Sequence, residues 1–254
     1  INGTTGYEEA AGQGLMAGIN AHLKTNNKEP VILGRNEAYI GVLIDDLITN
    51  GTNEPYRMFS SRAEYRILLR QDNADIRLTP LGHQIGLASN ERLEKVNQKK
   101  KEVAELIHLL LQTKVKSKDI NPKIEGLGSA TIKETTAIYN LIKRPELNIF
   151  QIIEMCSIEL KGIHNHYSKE IFEQAEILIK YEHYIDKEQK LAEKISSLEN
   201  HIINTSFNYD EVKGLSSESR EKLKSIRPDT IGQASRISGV SPADVSILMV
   251  YLGR

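Results

Sequence analysis

The first residues of the chain combine glycine, threonine and glutamate in a pattern that suits a ligand-facing helix start. Thr5 is followed three residues later by Glu8, the spacing of a capping box, so Thr5 is predicted to be an N-cap. Gly3 and Gly6 would let the backbone approach another body closely. A helix N-terminus favours negative charge, and an electron-rich carbonyl suits this one better than a phosphate, which Glu8 and Glu9 would repel. The same pattern is also typical of an ordinary capped helix without a ligand.

A second stretch, residues 56–77, is rich in arginine. Its arginines are Arg57, Arg62, Arg66, Arg70 and Arg77. The middle three are spaced by four residues and therefore share one face of either a helix or a strand, and the alternation with apolar residues favours a strand. Guanidinium groups match phosphate geometry bidentately, which indicates contact with a nucleic-acid backbone. The alternative is that Glu64, Asp72 and Asp75 neutralise the row as salt bridges.

The overall composition limits the partners that such sites can have. The 254 residues include 33 basic and 34 acidic side chains, a net charge of -1, so affinity for nucleic acid must come from a local patch. The single cysteine excludes an internal disulfide and is typical of a reducing, cytoplasmic setting. The sequence has no apolar run of membrane-spanning length and no signal peptide. Because it opens within a motif and without an initiator methionine, we expect a fragment of a longer protein.

Neither a metal site nor a set of catalytic residues is predicted. His164 and His166 could bind a metal only with further ligands, and the sole thiol, Cys156, lies in an apolar context typical of packing. Asp45 and Asp46 adjoin each other without a partner base, so a hydrolase has no support.

The elements that would position these residues are predicted to be mostly helices. The helix after the first stretch has small residues on one side, which we expect to press against another backbone; they are Ala10, Gly14, Gly18 and Ala21. Residues 39–47 form a buried apolar segment that is either helix or strand.

Helix signals continue along the middle of the chain. Thr79 and Pro80 predict a helix start, and Ser89 predicts the N-cap of a helix that runs to about Gln112. Lysines on that helix indicate a solvated face or an extension of a polyanion track; they are Lys95, Lys99, Lys100 and Lys101. Residues 113–128 are punctuated by proline and glycine and predict a flexible joint.

Three regions of helix are predicted beyond the joint. Short helices are expected at 135–143 and 148–157, and Ser168 is predicted to cap the longest helix, which ends at about Glu199. Residues 207–254 are predicted to be a separate three-helix unit. Its helices start at Ser216, at Thr230 with Gln233, and at Ser241.

The last helix is apolar on two sides. One face would carry Val245, Leu248, Met249 and Leu252, and another Ile247, Val250 and Tyr251. Two apolar faces indicate a core on one side and a partner protein on the other, or burial on both sides. A DNA-reading helix-turn-helix is excluded, since this helix has no basic residue before Arg254 to bond bases or phosphates.

Several longer motifs together resemble the MnmG (GidA) family. They are residues 2–11 (NGTTGYEEAA), 61–66 (SRAEYR), 72–75 (DNAD), 144–145 (RP), 181–185 (YEHYI) and 228–240 (PDTIGQASRISGV). Proteins of this family are the FAD-containing subunit of the enzyme that adds a carboxymethylaminomethyl group to the wobble uridine of tRNA. The resemblance covers the chain end to end, but the family's Gly-rich flavin fingerprint, catalytic cysteines and nicotinamide-binding insert are absent. The chain is therefore similar to a C-terminal fragment of such a protein.

The resemblance implies a fold and a set of binding residues. The implied fold is mainly α, a C-terminal helical bundle preceded by a small α/β remnant of an FAD-binding domain. Residues 1–78 would close the FAD-binding domain, 79–205 would be a helical domain with the long helix, and 206–254 a partner-binding unit. The implied flavin-binding residues are Asn2, Gly3, Thr4, Thr5, Gly6, Tyr7 and Glu8. The five arginines would bind tRNA, and a GTPase subunit would bind Val245, Ile247, Leu248, Val250 and Tyr251.

The resemblance also implies an activity for the full-length protein. Such an enzyme uses FAD, NADH and a folate one-carbon donor, acts in the cytoplasm away from membranes, and is a homodimer in its full-length form. The fragment alone is expected to be inactive, because the other half of the flavin pocket is missing. The alternative is a non-enzymatic helical module that binds protein or RNA without a cofactor.

Overall fold

The fold is mainly helical, which confirms the predicted class. The computed structural model describes residues 3–52, 54–156, 160, 162–199 and 201–252. These ranges form two compact units, a discontinuous unit (residues 1–69 and 188–254) and a continuous unit (residues 70–187). The predicted three-part division at residues 78/79 and 205/206 stays a prediction.

The described residues contain eleven α-helices and one small sheet. The helices are α1 (Tyr7–Thr25), α2 (Tyr39–Asn50), α3 (Ala74–Gln84), α4 (Asn90–Gln112), α5 (Ser117–Glu125), α6 (Ile138–Ile142), α7 (Ile149–Met155), α8 (Lys169–Glu199), α9 (Ser217–Ile226), α10 (Ile231–Arg236) and α11 (Pro242–Tyr251). The sheet pairs β1 (Lys114–Val115) antiparallel with β2 (Thr136–Ala137), with Lys114 opposite Ala137. In residues 3–78, the only extended pairing described is an isolated parallel bridge between Thr4 and Tyr56.

The continuous unit is built around one face of α4. Ser89 caps this helix by accepting a hydrogen bond from the Arg92 backbone N–H at 3.2 Å, as predicted. Leu106 and Leu110 are fully buried and pack with apolar side chains from α5 to α8. Helix α8 begins at Lys169 and ends at Glu199, in agreement with the predicted longest helix.

Three predictions for the continuous unit are wrong. Helix α3 begins at Ala74, so Thr79 is a buried residue in its middle and Pro80 lies inside the helix. Residues 113–128 are not a joint, because β1 and α5 form there and bury Ile120 and Ile124 in the core. Lys99 is 9% exposed and does not lie on a solvated face. The Lys99 ammonium instead pairs with Asp75 and Glu170, which are distant in sequence.

In the discontinuous unit, α1 and α2 pack against each other at glycines. A Cβ on Gly12 would lie 3.4 Å from Ile40, whereas Gly14 and Gly18 have nothing within 4 Å among the described residues. The predicted close approach along Gly14 and Gly18 is therefore wrong. Gly41 of α2 makes the closest approach to a backbone atom, since a Cβ there would lie 2.3 Å from the carbonyl oxygen of Gly34 in the segment before α2.

The C-terminal part of the discontinuous unit follows its local signals closely. Ser216, Thr230 and Ser241 each cap a helix by accepting a backbone N–H bond from the third residue beyond. Ser241 and Asp244 form a complete capping box. The three helices share a core that includes Leu223, Ile231, Ala234 and Leu248, all of them fully buried.

Candidate nucleic-acid interface

The arginine-rich segment does not form the strand that its alternation favoured. Residues 56–69 are an ordered loop, the arginine-rich loop, and Arg77 lies in α3. Residues Ser60–Arg62 form a 3-10 turn, and the residues that follow are turns. The side chains still alternate, since Ala63 and Tyr65 are 3% and 4% exposed while Arg62 and Arg66 are exposed. The prediction of two faces is therefore correct over this stretch, whereas the prediction of a strand is wrong.

Tyr56 anchors the start of this loop. Its backbone N–H donates to the Gly3 carbonyl, and its hydroxyl donates to Asp46 Oδ2 at 2.6 Å. Burial, reinforced by the bond to Asp46, raises the pKa of the Tyr56 hydroxyl above its ordinary value. The Arg62 guanidinium lies 4.5 Å from the centre of the Tyr56 ring, a cation–π contact.

Three of the five predicted arginines lie on the discontinuous unit, and all three are exposed. They are Arg57, Arg62 and Arg66. The Arg62 Nε donates to the Arg57 carbonyl at 3.0 Å, which fixes the position of one guanidinium on the surface of the loop. Arg66 has no salt-bridge partner among the described residues. Exposed guanidiniums without a carboxylate partner are available to a phosphate.

The other two arginines belong to the continuous unit and are partly buried. Arg70 forms an ion pair with Asp72 at 3.1 Å. Arg77 donates to Asn73 Oδ1 at 2.9 Å and to the Arg70 carbonyl at 3.2 Å. The salt-bridge alternative therefore holds for Arg70, and these two guanidiniums have structural partners that a phosphate would have to compete with.

Sequence reasoning missed a buried ion-pair cluster beneath the arginine-rich loop. Arg35 is its centre, with a side chain only 10% exposed. Its guanidinium lies 2.9 Å from Asp45, 2.6 Å from Asp46 and 2.7 Å from Glu64. It also donates to the Arg62 carbonyl at 3.3 Å, which ties the cluster to the loop. Burial alone would lower the pKa of Arg35, but its bonds to Glu64 and Asp46 outweigh burial and raise it.

A second arginine completes this cluster from the C-terminal helices. Arg236, the last residue of α10, donates to both oxygens of Asp45, each at 2.8 Å. Such a fork on a carboxylate is the geometry that arginine forms best. The sequence alone shows no partner base for Asp45 and Asp46, whereas in the structure their partners are arginines. Only the presence of two acids in an otherwise apolar helix could have indicated buried pairing.

The N-terminal stretch starts its helix one residue later than predicted. Gly6 is the N-cap, and no side-chain cap bond forms, so Thr5 as an N-cap is wrong. Gly3 has a φ of 71° and its carbonyl accepts from Tyr56, while the Thr4 hydroxyl accepts from Gln13 at 3.0 Å. These contacts tie the stretch to its own helix and to the arginine-rich loop.

Glu9, and not Glu8, is the acid with a structural role in this helix start. Its carboxylate accepts from the Met58 backbone N–H at 3.0 Å, and this bond lowers the pKa of Glu9. A Cβ on Gly6 would lie 1.7 Å from that carboxylate, so a larger residue there would have to displace the Glu9 side chain. Tyr7 is 92% exposed and Glu8 is exposed, which leaves the start of α1 open. Asn2 lies outside the described residues.

The predicted partner-binding residues divide between core and surface. Leu248 is fully buried and Val245 is 9% exposed, so both belong to the core of their own unit. Ile247 packs against that core and lies 3.2 Å from the position of a Cβ on Gly214. Val250 and Tyr251 are 73% and 45% exposed, although the Tyr251 hydroxyl accepts from the Lys213 N–H at 2.8 Å. The second apolar face is therefore narrow.

Neither a membrane-spanning helix nor a metal-binding cluster is found in the part of the chain that the structure describes. No helix there has both the length and the apolar character needed to cross a membrane. No cluster of three or more histidine, cysteine or acidic side chains with metal-binding geometry occurs in the same residues.

Three family models match separate parts of the chain. Residues 90–189 match the model of the tRNA modifying enzyme MnmG/GidA C-terminal helical domain, and residues 191–254 match that of the C-terminal helical bundle of the same enzyme. Residues 1–29 match the model of glucose inhibited division protein A. Together these matches take in most of the chain.

Curated relatives agree with these models. The chain is 56% identical, over all of its 254 residues, to the tRNA uridine 5-carboxymethylaminomethyl modification enzyme MnmG of Cytophaga hutchinsonii. It is 52% identical over its full length to the protein of the same name from Flavobacterium psychrophilum. It spans 41% of the length of each of these relatives.

A solved structure agrees as well. The form II crystal structure of Aquifex aeolicus GidA superimposes with a TM-score of 0.81 and 42% identity, and the match covers all of this chain and 39% of that one. Family models, curated relatives and a solved structure all indicate the same family. The chain belongs to the MnmG/GidA family, where it corresponds to a C-terminal part.

Proposed function

We propose that this chain is the tRNA- and partner-binding part of an FAD-dependent enzyme that modifies C5 of the wobble uridine in tRNA. The modification would be a carboxymethylaminomethyl or aminomethyl group, added together with a GTPase partner. The observation that carries the proposal is the 56% identity, over the entire chain, to a relative named for this modification. Since the chain spans 41% of that relative, the activity belongs to the longer protein.

The exposed arginines are the part of the chain that we assign to tRNA. Arg57, Arg62 and Arg66 project from a loop whose backbone is held by Tyr56 and by the Arg35 cluster. Arg62, whose Nε is held by the Arg57 carbonyl, would bind a phosphate with little loss of side-chain freedom. We assign Arg70 and Arg77 a weaker role, because each already bonds within its own unit.

The start of α1 is the part that we assign to the flavin. A helix of 19 residues has a partial positive charge at its N-terminus, and this N-terminus is open because Tyr7 and Glu8 are exposed. Residues Gly3 to Glu8 would lie against the flavin ring and stabilise negative charge on it. The flavin, when bound, would supply the redox chemistry, with NADH as reductant and a folate as one-carbon donor.

The exposed end of α11 is the part that we assign to the GTPase partner. Val250 and Tyr251 are the members of the predicted set that a partner can reach. We further propose that the full-length protein is a cytoplasmic homodimer, as the resemblance implies, and that this part alone is inactive.

Salt dependence of tRNA binding tests the arginine assignment. Each phosphate contact that is lost should reduce the slope of log affinity against log salt by about 0.7–0.9. Arg66→Ala should produce this change, whereas Arg92→Ala, on the exposed start of α4, should leave the slope unaltered. An identical slope for Arg66→Ala and the unsubstituted chain would contradict the assignment.

Partner association is better tested by a point substitution than by truncation. Removal of the residues after Lys224 would delete α10 and α11, which supply Ile231 and Leu248 to the core. Val250→Glu instead places a charge on a side chain that is 73% exposed. We expect it to abolish association with the GTPase while the helical circular dichroism stays the same. Unimpaired association would remove the partner assignment from α11.

A helical interaction module without a cofactor is the rival function. Such a module would bind RNA or protein as the proposed enzyme part does, but a protein of the relatives' full length would then show no flavin absorbance spectrum. Tyr7→Ala should weaken flavin binding in that longer protein without disturbing the fold, since the Tyr7 side chain is 92% exposed. A colourless purified protein would favour the rival.

A further inference from the structure

The loop that carries the exposed arginines also presents an exposed aromatic ring. Phe59 is 55% exposed, although residues on both sides of it are fixed. The Met58 N–H donates to the Glu9 carboxylate, and the Phe59 carbonyl accepts from the Arg62 N–H at 2.9 Å. A large apolar side chain held in water by an ordered backbone indicates a recognition role more than a packing role.

The backbone places Phe59 on the same side as a guanidinium. Tyr56 is buried, Arg57 exposed, Met58 half-buried and Phe59 exposed, the alternation of an extended segment. Phe59 itself has extended angles, φ -100° and ψ 147°. Arg57 and Phe59 therefore share the outer face. The 3-10 turn that follows ends at Arg62, the next arginine along the chain.

We propose that Phe59 is a stacking platform for an unpaired base of the bound RNA, with Arg57, Arg62 and Arg66 holding the adjoining phosphates. An aromatic face between cationic side chains is the arrangement by which proteins bind single-stranded nucleic acid. Unpaired loop bases of RNA, unlike those of its duplex regions, are free to stack on such a ring. The charge of the loop selects a polyanion over an apolar protein surface. This inference rests on the proposed tRNA binding and names a contact that the arginines alone would not make.

Two probes separate stacking from charge. One is a short oligouridylate, and the other is an abasic oligoribose phosphate of the same length, which has the phosphates but not the bases. A stacked base typically changes affinity by roughly five- to a hundredfold. The unsubstituted chain should therefore bind the oligouridylate at least about fivefold more tightly than the abasic probe. Phe59→Leu should lose most of this preference and keep its affinity for the abasic probe.

A tryptophan variant and a matched control complete the test. The chain contains no tryptophan, so Phe59→Trp introduces a single tryptophan. This variant should keep the preference, and its tryptophan fluorescence should be quenched by the oligouridylate. Tyr184→Leu, which removes a ring 57% exposed on α8, should leave the preference unchanged. Circular dichroism checks that each variant is folded.

The outcomes separate this inference from the proposed function. Salt-dependent binding of both probes with no preference for bases would overturn the stacking platform alone. A preference that survives Phe59→Leu would also overturn it, and would assign the base contact to another residue. No salt-dependent binding of either probe would overturn the stacking platform together with the proposed tRNA binding.

Discussion

Removal of the Arg35 guanidinium should destabilise the discontinuous unit more than any other single arginine substitution. Arg35→Met keeps the length of the side chain but removes the charge that faces three carboxylates. Asp45 would retain the fork of Arg236, and Glu64 is 45% exposed and can be hydrated. Asp46 is 9% exposed and would retain only the Tyr56 hydroxyl. An uncompensated buried charge costs about 3–5 kcal/mol, a large part of the stability of a typical domain.

The assay is urea unfolding at neutral pH, combined with hydrogen exchange of the α2 amides. We expect the free energy of unfolding to fall by about 3–5 kcal/mol with the denaturant slope unchanged. In an Asp46→Asn background the same substitution should cost less, because the stranded charge is absent. Arg92→Met, an exposed control, should change stability by less than about 0.5 kcal/mol. A loss below about 1 kcal/mol for Arg35→Met, with no dependence on residue 46, would refute the view that this cluster is desolvated.

Three further predictions follow from packing and charge. Gly41→Ala places a Cβ 2.3 Å from a backbone oxygen and should lower the free energy of urea unfolding by about 1–3 kcal/mol, whereas Gly14→Ala, in open space, should raise it by about 0.5–1 kcal/mol. Burial lowers the pKa of Lys99, but its bonds to two acids raise the pKa more. The stability that the charged Lys99 contributes is therefore fully present below about pH 10 and is lost as the pH rises further. Alkaline unfolding of Lys99→Met should therefore depend less on pH than that of the exposed control Lys100→Met. Burial raises the pKa of Asp244, but its hydrogen bonds lower the pKa more. The stability that Asp244 contributes should therefore be lost as the pH drops below about 4. Circular dichroism should show a smaller loss of stability over this range for Asp244→Asn than for the unsubstituted chain.

Local signals predicted the helix starts that depend on neighbouring residues. Ser89, Ser216 and Ser241 cap their helices as expected, because each cap bond joins residues only three positions apart. Thr79 failed as a cap, since α3 begins at Ala74 and packs on α4. The tertiary contact there outweighs the local preference for proline in the first turn of a helix.

The exposed arginines of the candidate site could be predicted from the sequence, but the Arg35 cluster that holds their loop could not. Exposed Arg62 and Arg66 follow from alternation with buried residues, a pattern visible in the sequence. The Arg35 cluster joins Arg35 to Glu64, 29 positions away, and Arg236 to Asp45, 191 positions away. No periodicity spans such separations, so only the fold brings these charges together.

The fork of Arg236 on Asp45 has a consequence for the order in which the molecule forms. The two residues are 191 positions apart, so during translation at about 5–20 residues per second Asp45 leaves the ribosome roughly 10–40 seconds before its partner. The continuous unit is complete in the nascent chain during that interval, whereas the buried acids of α2 must wait, hydrated, for the last helices to be synthesised.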